Sequence, residues 1–128
     1  MASIYDESLL ERIGGAADCV VSLEVVEHMF FPRRLFEASF RLLVAGGHLL
    51  VSTPYHGYLK NLGISLIGGW DRHFGVEVDG GHIKFFSKAT IAKMAFQSGF
   101  REPRFRGVGR APWLWKSMIM SIKKPSSG

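Results

Sequence analysis

A single cysteine, Cys19, is the whole thiol content of these 128 residues. An intrachain disulfide is excluded, and a small thiol packed within the run ADCVVSL suits a reducing cytoplasm. No apolar run approaches the roughly eighteen residues that cross a bilayer, so no transmembrane segment is expected. The first thirty residues carry acidic groups and lack a signal-peptide pattern, which points to an unexported, cytoplasmic protein. Also missing is a glycine-rich strand-to-helix turn ahead of the first apolar run, the element that cradles a nucleotide in many α/β folds. Repeats, linkers and low-complexity segments are absent, so residues 1–128 read as one domain.

What remains is ordinary globular material, 47% hydrophobic with 15 glycines. A chain of this size removes about two thirds of its unfolded surface from water, enough for one sheet with helices on it. The net charge of +5 raises the question of nucleic acid, but the cations crowd the C-terminal third. In PRFRGVGR, Arg104 and Arg106 flank Phe105 with period two, the pattern of one solvated strand face. Nucleic acid is therefore not the expected partner.

Two apolar runs organise the chain. Ala17 to Glu24 predicts a parallel central strand buried on both faces. Pro32 opens a helix in which Leu35, Phe36, Ser39, Phe40, Leu42 and Leu43 recur at three- and four-residue spacing to about Ala45, stopped by Gly46 and Gly47. His48 to Ser52 predicts a second strand, ended by Thr53 and Pro54. Strand, helix, strand in so short a span is a βαβ unit with parallel strands. A short helix is expected from Ser3 to Gly15 and a helix-like stretch from Tyr55 to Gly69. Trp70 to Lys84 suggests a long loop over the top of the sheet. Ser87 caps a helix carrying Ile91, Met94, Ala95 and Phe96 and ended by Gly99. Pro103 to Gly109 and Lys116 to Lys123 read as an antiparallel pair, with the tail KKPSSG frayed.

Polar groups cluster after the first two strands. Glu24, Glu27 and His28 stand at i, i+3 and i+4 and converge if the strand gives way to a helical turn; a solvated loop is the alternative. Thr53, Pro54, Tyr55 and His56 follow the second strand. Tyr55 or His56 can serve as a general base, or simply form a turn and a helix start. Trp70, Phe74, Phe85 and Phe86 flank the expected loop, either bracketing an aromatic or prenylated acceptor or packing the core. His48 is expected only to pack.

The segments DCVVSLEVVEH, RLLVAGGHLLVSTP, GFREPRFRGVGR and WKSMIMSIKKP together resemble the C-terminal half of class I S-adenosylmethionine-dependent methyltransferases. The nearest subgroup contains the ubiquinone-pathway O-methyltransferases, which share a Glu-x-x-Glu-His segment with small-RNA 2′-O-methyltransferases. The resemblance implies an α/β, Rossmann-like fold lacking its N-terminal strands, with parallel strands followed by an antiparallel C-terminal hairpin. It implies S-adenosylmethionine as donor, with Asp6 (beside Tyr5) and Leu23 on the cofactor, and an expected truncation, since the glycine loop and ribose carboxylate are missing. It also implies Mg2+ or another divalent metal held by Glu24, Glu27 and His28. His82 is the expected fourth ligand, and His56 and His73 are rivals. The expected activity is metal-assisted O-methylation of a small-molecule acceptor. The alternative is a non-catalytic methyltransferase-fold remnant that binds a metal or forms homo-oligomers through an exposed sheet edge.

Overall fold

The computed structural model describes residues 13, 16–74 and 83–126. The expected helix from Ser3 to Gly15 falls almost entirely outside them, as do Asp6 and His82. Four strands form one mixed sheet in the order β1-β2-β4-β3. β1 (Ala17–Leu23) and β2 (Leu43–Pro54) are parallel, with Leu23 opposite Ser52 at their shared C-terminal ends. β4 (Ser117–Lys123) pairs antiparallel with β2, and β3 (Arg101–Val108) antiparallel with β4. The expected parallel unit and terminal hairpin are both present, with β4 inserted between β2 and β3.

Alternation along the strands divides the sheet into a covered and an open face. Leu49 and Val51 on β2 and Met118, Met120 and Ile122 on β4 are buried. They form the core with Leu35 and Phe36 of α1 (Arg33–Leu42) and with Ile91 and Ala95 of α4 (Lys88–Gln97). Each fully buried side chain of this size contributes about 1.5–3 kcal/mol. Residues of opposite parity face outward. Cys19 and His48 are exposed, and Val21 and Leu23 are 55% and 60% exposed. The expectations of a strand buried on both faces, a packed Cys19 and a packed His48 are thereby corrected. The cause is one-sided cover: α1 and α4 pack on one face of the sheet, and among the described residues the opposite face, which carries Cys19 and Val21 on β1 and His48 on β2, stays open.

The helix after Pro32 ends at Leu42 rather than Ala45, and β2 begins at Leu43, five residues before the expected His48. The reason lies in Gly46 and Gly47, which belong to the strand. Between Ala17↔Leu43 and Cys19↔His48 the register advances by different amounts on the two strands. Gly46 takes a φ of +80°, and a Cβ on Gly47 would stand 3.1 Å from the Asp18 carbonyl oxygen. A glycine pair admits both the turn in the strand and the close approach. Lys124 closes this end by donating from Nζ to the Phe40 and Leu43 carbonyls at 2.7 and 2.6 Å. The expected frayed tail is thus anchored at its first residues.

Beyond β2 lie α2 (Tyr58–Leu66) and the short α3 (Trp70–Phe74). The stretch expected as an unbroken loop therefore opens with a helical turn. α4 starts at a full capping box, in which the Ser87 side chain accepts from the Thr90 amide and the Thr90 side chain accepts from the Ser87 amide.

Candidate functional site at the paired strand ends

The chemistry-bearing residues gather where β1 and β2 end side by side. Glu24 leaves β1 with a φ of +51°, a left-handed conformation that a glutamate adopts only when held. The hold is Ser52. The Glu24 amide donates to the Ser52 carbonyl at 3.2 Å and to its hydroxyl at 3.0 Å, and the Ser52 hydroxyl donates to Glu24 Oε1 at 2.7 Å. This clamp turns the chain into a 3-10 turn, Val26–His28, closed by the His28 amide on the Val25 carbonyl at 3.0 Å.

The turn drives Glu27 inward, where it is 1% exposed. Among the described residues no well-formed hydrogen bond reaches either carboxylate oxygen, although the Glu27 amide and the Thr53 hydroxyl stand close enough to act on its charge. His28 Nε2 stands 3.9 Å from Glu27 Oε1. Burial raises the Glu27 pKa above the ordinary carboxylate value, and the Glu24 charge adds to the rise. Its own amide, the nearby Thr53 hydroxyl and His28 oppose it. The Glu27 carbonyl accepts from the Ile83 and Lys84 amides, both at 3.1 Å. The segment before α4 is thereby fastened over the turn.

Glu27 and His28 thus meet, while Glu24 is turned to Ser52. Among the described residues no group of three His, Cys, Asp or Glu side chains is arranged to hold a metal ion. His82 and Asp6 lie outside the described residues, and Leu23 lies exposed at the end of β1. Tyr55 and His56 part company. Tyr55 packs edge-on against Trp115 at 5.2 Å, its ring against Gly57 and its amide donating to the Lys116 carbonyl at 3.0 Å. It serves the join between β2 and the hairpin. His56 is half-buried, with its ring 4.8 Å from that of Phe85. Of the four expected bracketing aromatics, Phe86 is buried in the core, whereas Trp70 and Phe85 are exposed. Ser52 was not expected as a site residue. Its signal in the sequence was a hydroxyl closing an apolar run, opposite the acid that closes the other.

Comparison with known proteins bears on this arrangement. A family described as "Methyltransferase domain" matches residues 3–102. A ubiquinone biosynthesis O-methyltransferase from Psychrobacter arcticus is 28% identical over 131 aligned positions, covering 93% of this chain and 50% of its own. An O-methyltransferase family protein from Burkholderia thailandensis superposes with a TM-score of 0.70 at 19% identity. The match covers 99% of this chain and 35% of that one. The N-methyltransferase NodS from Bradyrhizobium japonicum, solved with S-adenosyl-L-homocysteine, gives 0.60 at 13% identity, covering 98% and 53%. The chain therefore spans about half the length of the curated relative it matches. No helix among the described residues is long and apolar enough to cross a membrane. With its family match over residues 3–102 and a Rossmann-like sheet shared with solved methyltransferases, the chain belongs to the methyltransferase domain family.

Proposed function

We propose that this chain forms the acceptor side of an S-adenosylmethionine-dependent methyltransferase acting on an oxygen of a small molecule. The observation that carries the reading is Glu27, a buried carboxylate with no well-formed hydrogen bond among the described residues, at the paired ends of two parallel strands. Crevices outside such strand ends are where open α/β sheets bind ligands. Acids whose pKa is raised by burial concentrate at functional sites.

S-adenosylmethionine supplies a methyl group already activated on a sulfonium, so the protein's task is to align it with the acceptor. Leu23, exposed at the end of β1, fits one apolar wall of a nucleoside site, and Asp6 is assigned to the adenine amino group. His56 is assigned as the base that takes the acceptor hydroxyl proton, its ring oriented by Phe85. Tyr55 keeps the loop in place through Trp115. Glu24 and Glu27 are oxygen donors of the kind that suits Mg2+, whereas the imidazoles of His28 and His82 suit a borderline divalent ion better. The described members form no three-donor group, so no step is routed through a metal. A cytoplasmic setting belongs to the same proposal, because an exposed lone thiol such as Cys19 stays reduced there.

Transfer of a labelled methyl group to phenolic and catecholic acceptors tests the assignment of the base. His56→Asn is expected to lower kcat by roughly 10²–10⁴-fold, whereas Tyr55→Phe changes it little. Equal losses in both variants would overturn the choice of His56.

A second reading rests on β1, whose outer edge has no pairing strand among the described residues and whose Val21 and Leu23 are exposed. A long apolar edge invites pairing with another strand. On that reading the domain is a non-catalytic module that self-associates.

A further inference from the structure

The loop that joins the 3-10 turn to α1 holds two adjacent phenylalanines, Phe30 and Phe31, which are 76% and 68% exposed. Beside them opens a groove of about 560 Å³, running from Phe30 and Pro32 to Phe86 and Met94. That volume lies within the range of small-molecule sites. Three cations, Arg33, Arg34 and Lys84, and one carboxylate, Glu37, also line it. Arg34 is engaged by Glu37 at 3.8 Å. Arg33 and Lys84 have no carboxylate within 4.0 Å among the described residues. Lys84 is held at the groove by its amide, which donates to the Glu27 carbonyl.

We propose that this groove binds an amphipathic anion, with an acyl or aryl body against Phe30, Phe86 and Met94 and a carboxylate or phosphate monoester head at Arg33 and Lys84. Each half of the groove selects against a simpler ligand. A neutral apolar molecule would cover the floor but desolvate two cations without compensation. A small inorganic anion would meet the cations but leave the phenylalanines in water. One ligand carrying both features satisfies both halves, and charge-assisted contacts to the head fix its orientation. Such binding is separate from methyl transfer, since neither donor nor acceptor takes part in it.

Calorimetric titration with dodecanoate, below its micelle-forming concentration and without S-adenosylmethionine, tests the proposal. Saturable one-to-one binding is expected, with dodecanol and inorganic phosphate each weaker by about tenfold or more. Arg33→Glu combined with Lys84→Glu is expected to weaken dodecanoate by a similar factor while leaving dodecanol unchanged. Arg33 is exposed and Lys84 half-buried, and an unchanged circular dichroism spectrum verifies the fold. Phe30→Ala is expected to weaken dodecanoate and leave phosphate unaffected. Equal affinity for dodecanoate and dodecanol, or indifference to the charge reversal, would overturn the proposal. So would binding confined to vesicles containing phosphatidylglycerol, with none to the monomeric amphiphile, because that result describes a membrane surface rather than a groove.

Discussion

Glu27 carries the largest electrostatic cost at the site. Its carboxylate is buried, its oxygens have no well-formed hydrogen bond among the described residues, and Glu24 adds a second negative charge nearby. A folded-state pKa raised above the ordinary 4.5 means that folding favours the protonated acid. The fold is unburdened at pH values below that of the free side chain and loses stability as the pH climbs and Glu27 is forced to ionise. Glu27→Gln, neutral and of the same shape, is therefore expected to raise stability near pH 7, because the charge penalty goes while the polar atoms stay buried. The gain should vanish in acid. Thermal unfolding of both proteins across a pH series measures this, and a destabilised Gln variant at pH 7 would show that the carboxylate has partners after all. The sequence marked Glu27 through its place after an apolar run. Its burial was not legible, because that depends on Ser52 holding Glu24 at a φ of +51°, a contact across 28 residues. Tyr55 and His56 looked alike as neighbours in sequence; packing against Trp115 and Phe85 separates them.

Among the elements, those with local signals were read most accurately. Ser87 and Gly99 bound α4 because a cap and a left-handed glycine act within a few residues. Ser87→Ala removes the acceptor for the Thr90 amide and is expected to cost ~1 kcal/mol. Chemical denaturation measures it, with the midpoint falling and the slope unchanged. β2 was the harder case. Gly46 and Gly47 have the composition of a helix stop, and they do lie just past α1, yet their role is to let the strand start early and bend. What decides between these uses is the pairing partner, which the local sequence does not specify. Arg104 and Arg106 behaved as period two requires, exposed on either side of a half-buried Phe105.

For the molecule as a whole, the parallel unit and the terminal antiparallel pair were legible in the order of the elements, and the Rossmann-like class in the resemblance to methyltransferases. Exposure was misjudged for the same reason that β1 looked central. Its run of Cys19, Val20, Val21 and Leu23 has the composition of a strand covered on both faces, while in the sheet it is an edge with one face open. That open apolar face lies next to the strand ends where donor and acceptor are proposed to meet, and the chain spans half the length of its curated relative. The methyltransferase reading therefore stands or falls on donor binding at this face. Calorimetric titration of S-adenosylmethionine into the protein, with and without magnesium, measures it directly. The account predicts saturable one-to-one binding that is weakened by Leu23→Glu. An absence of heat up to the solubility limit of the donor would contradict it.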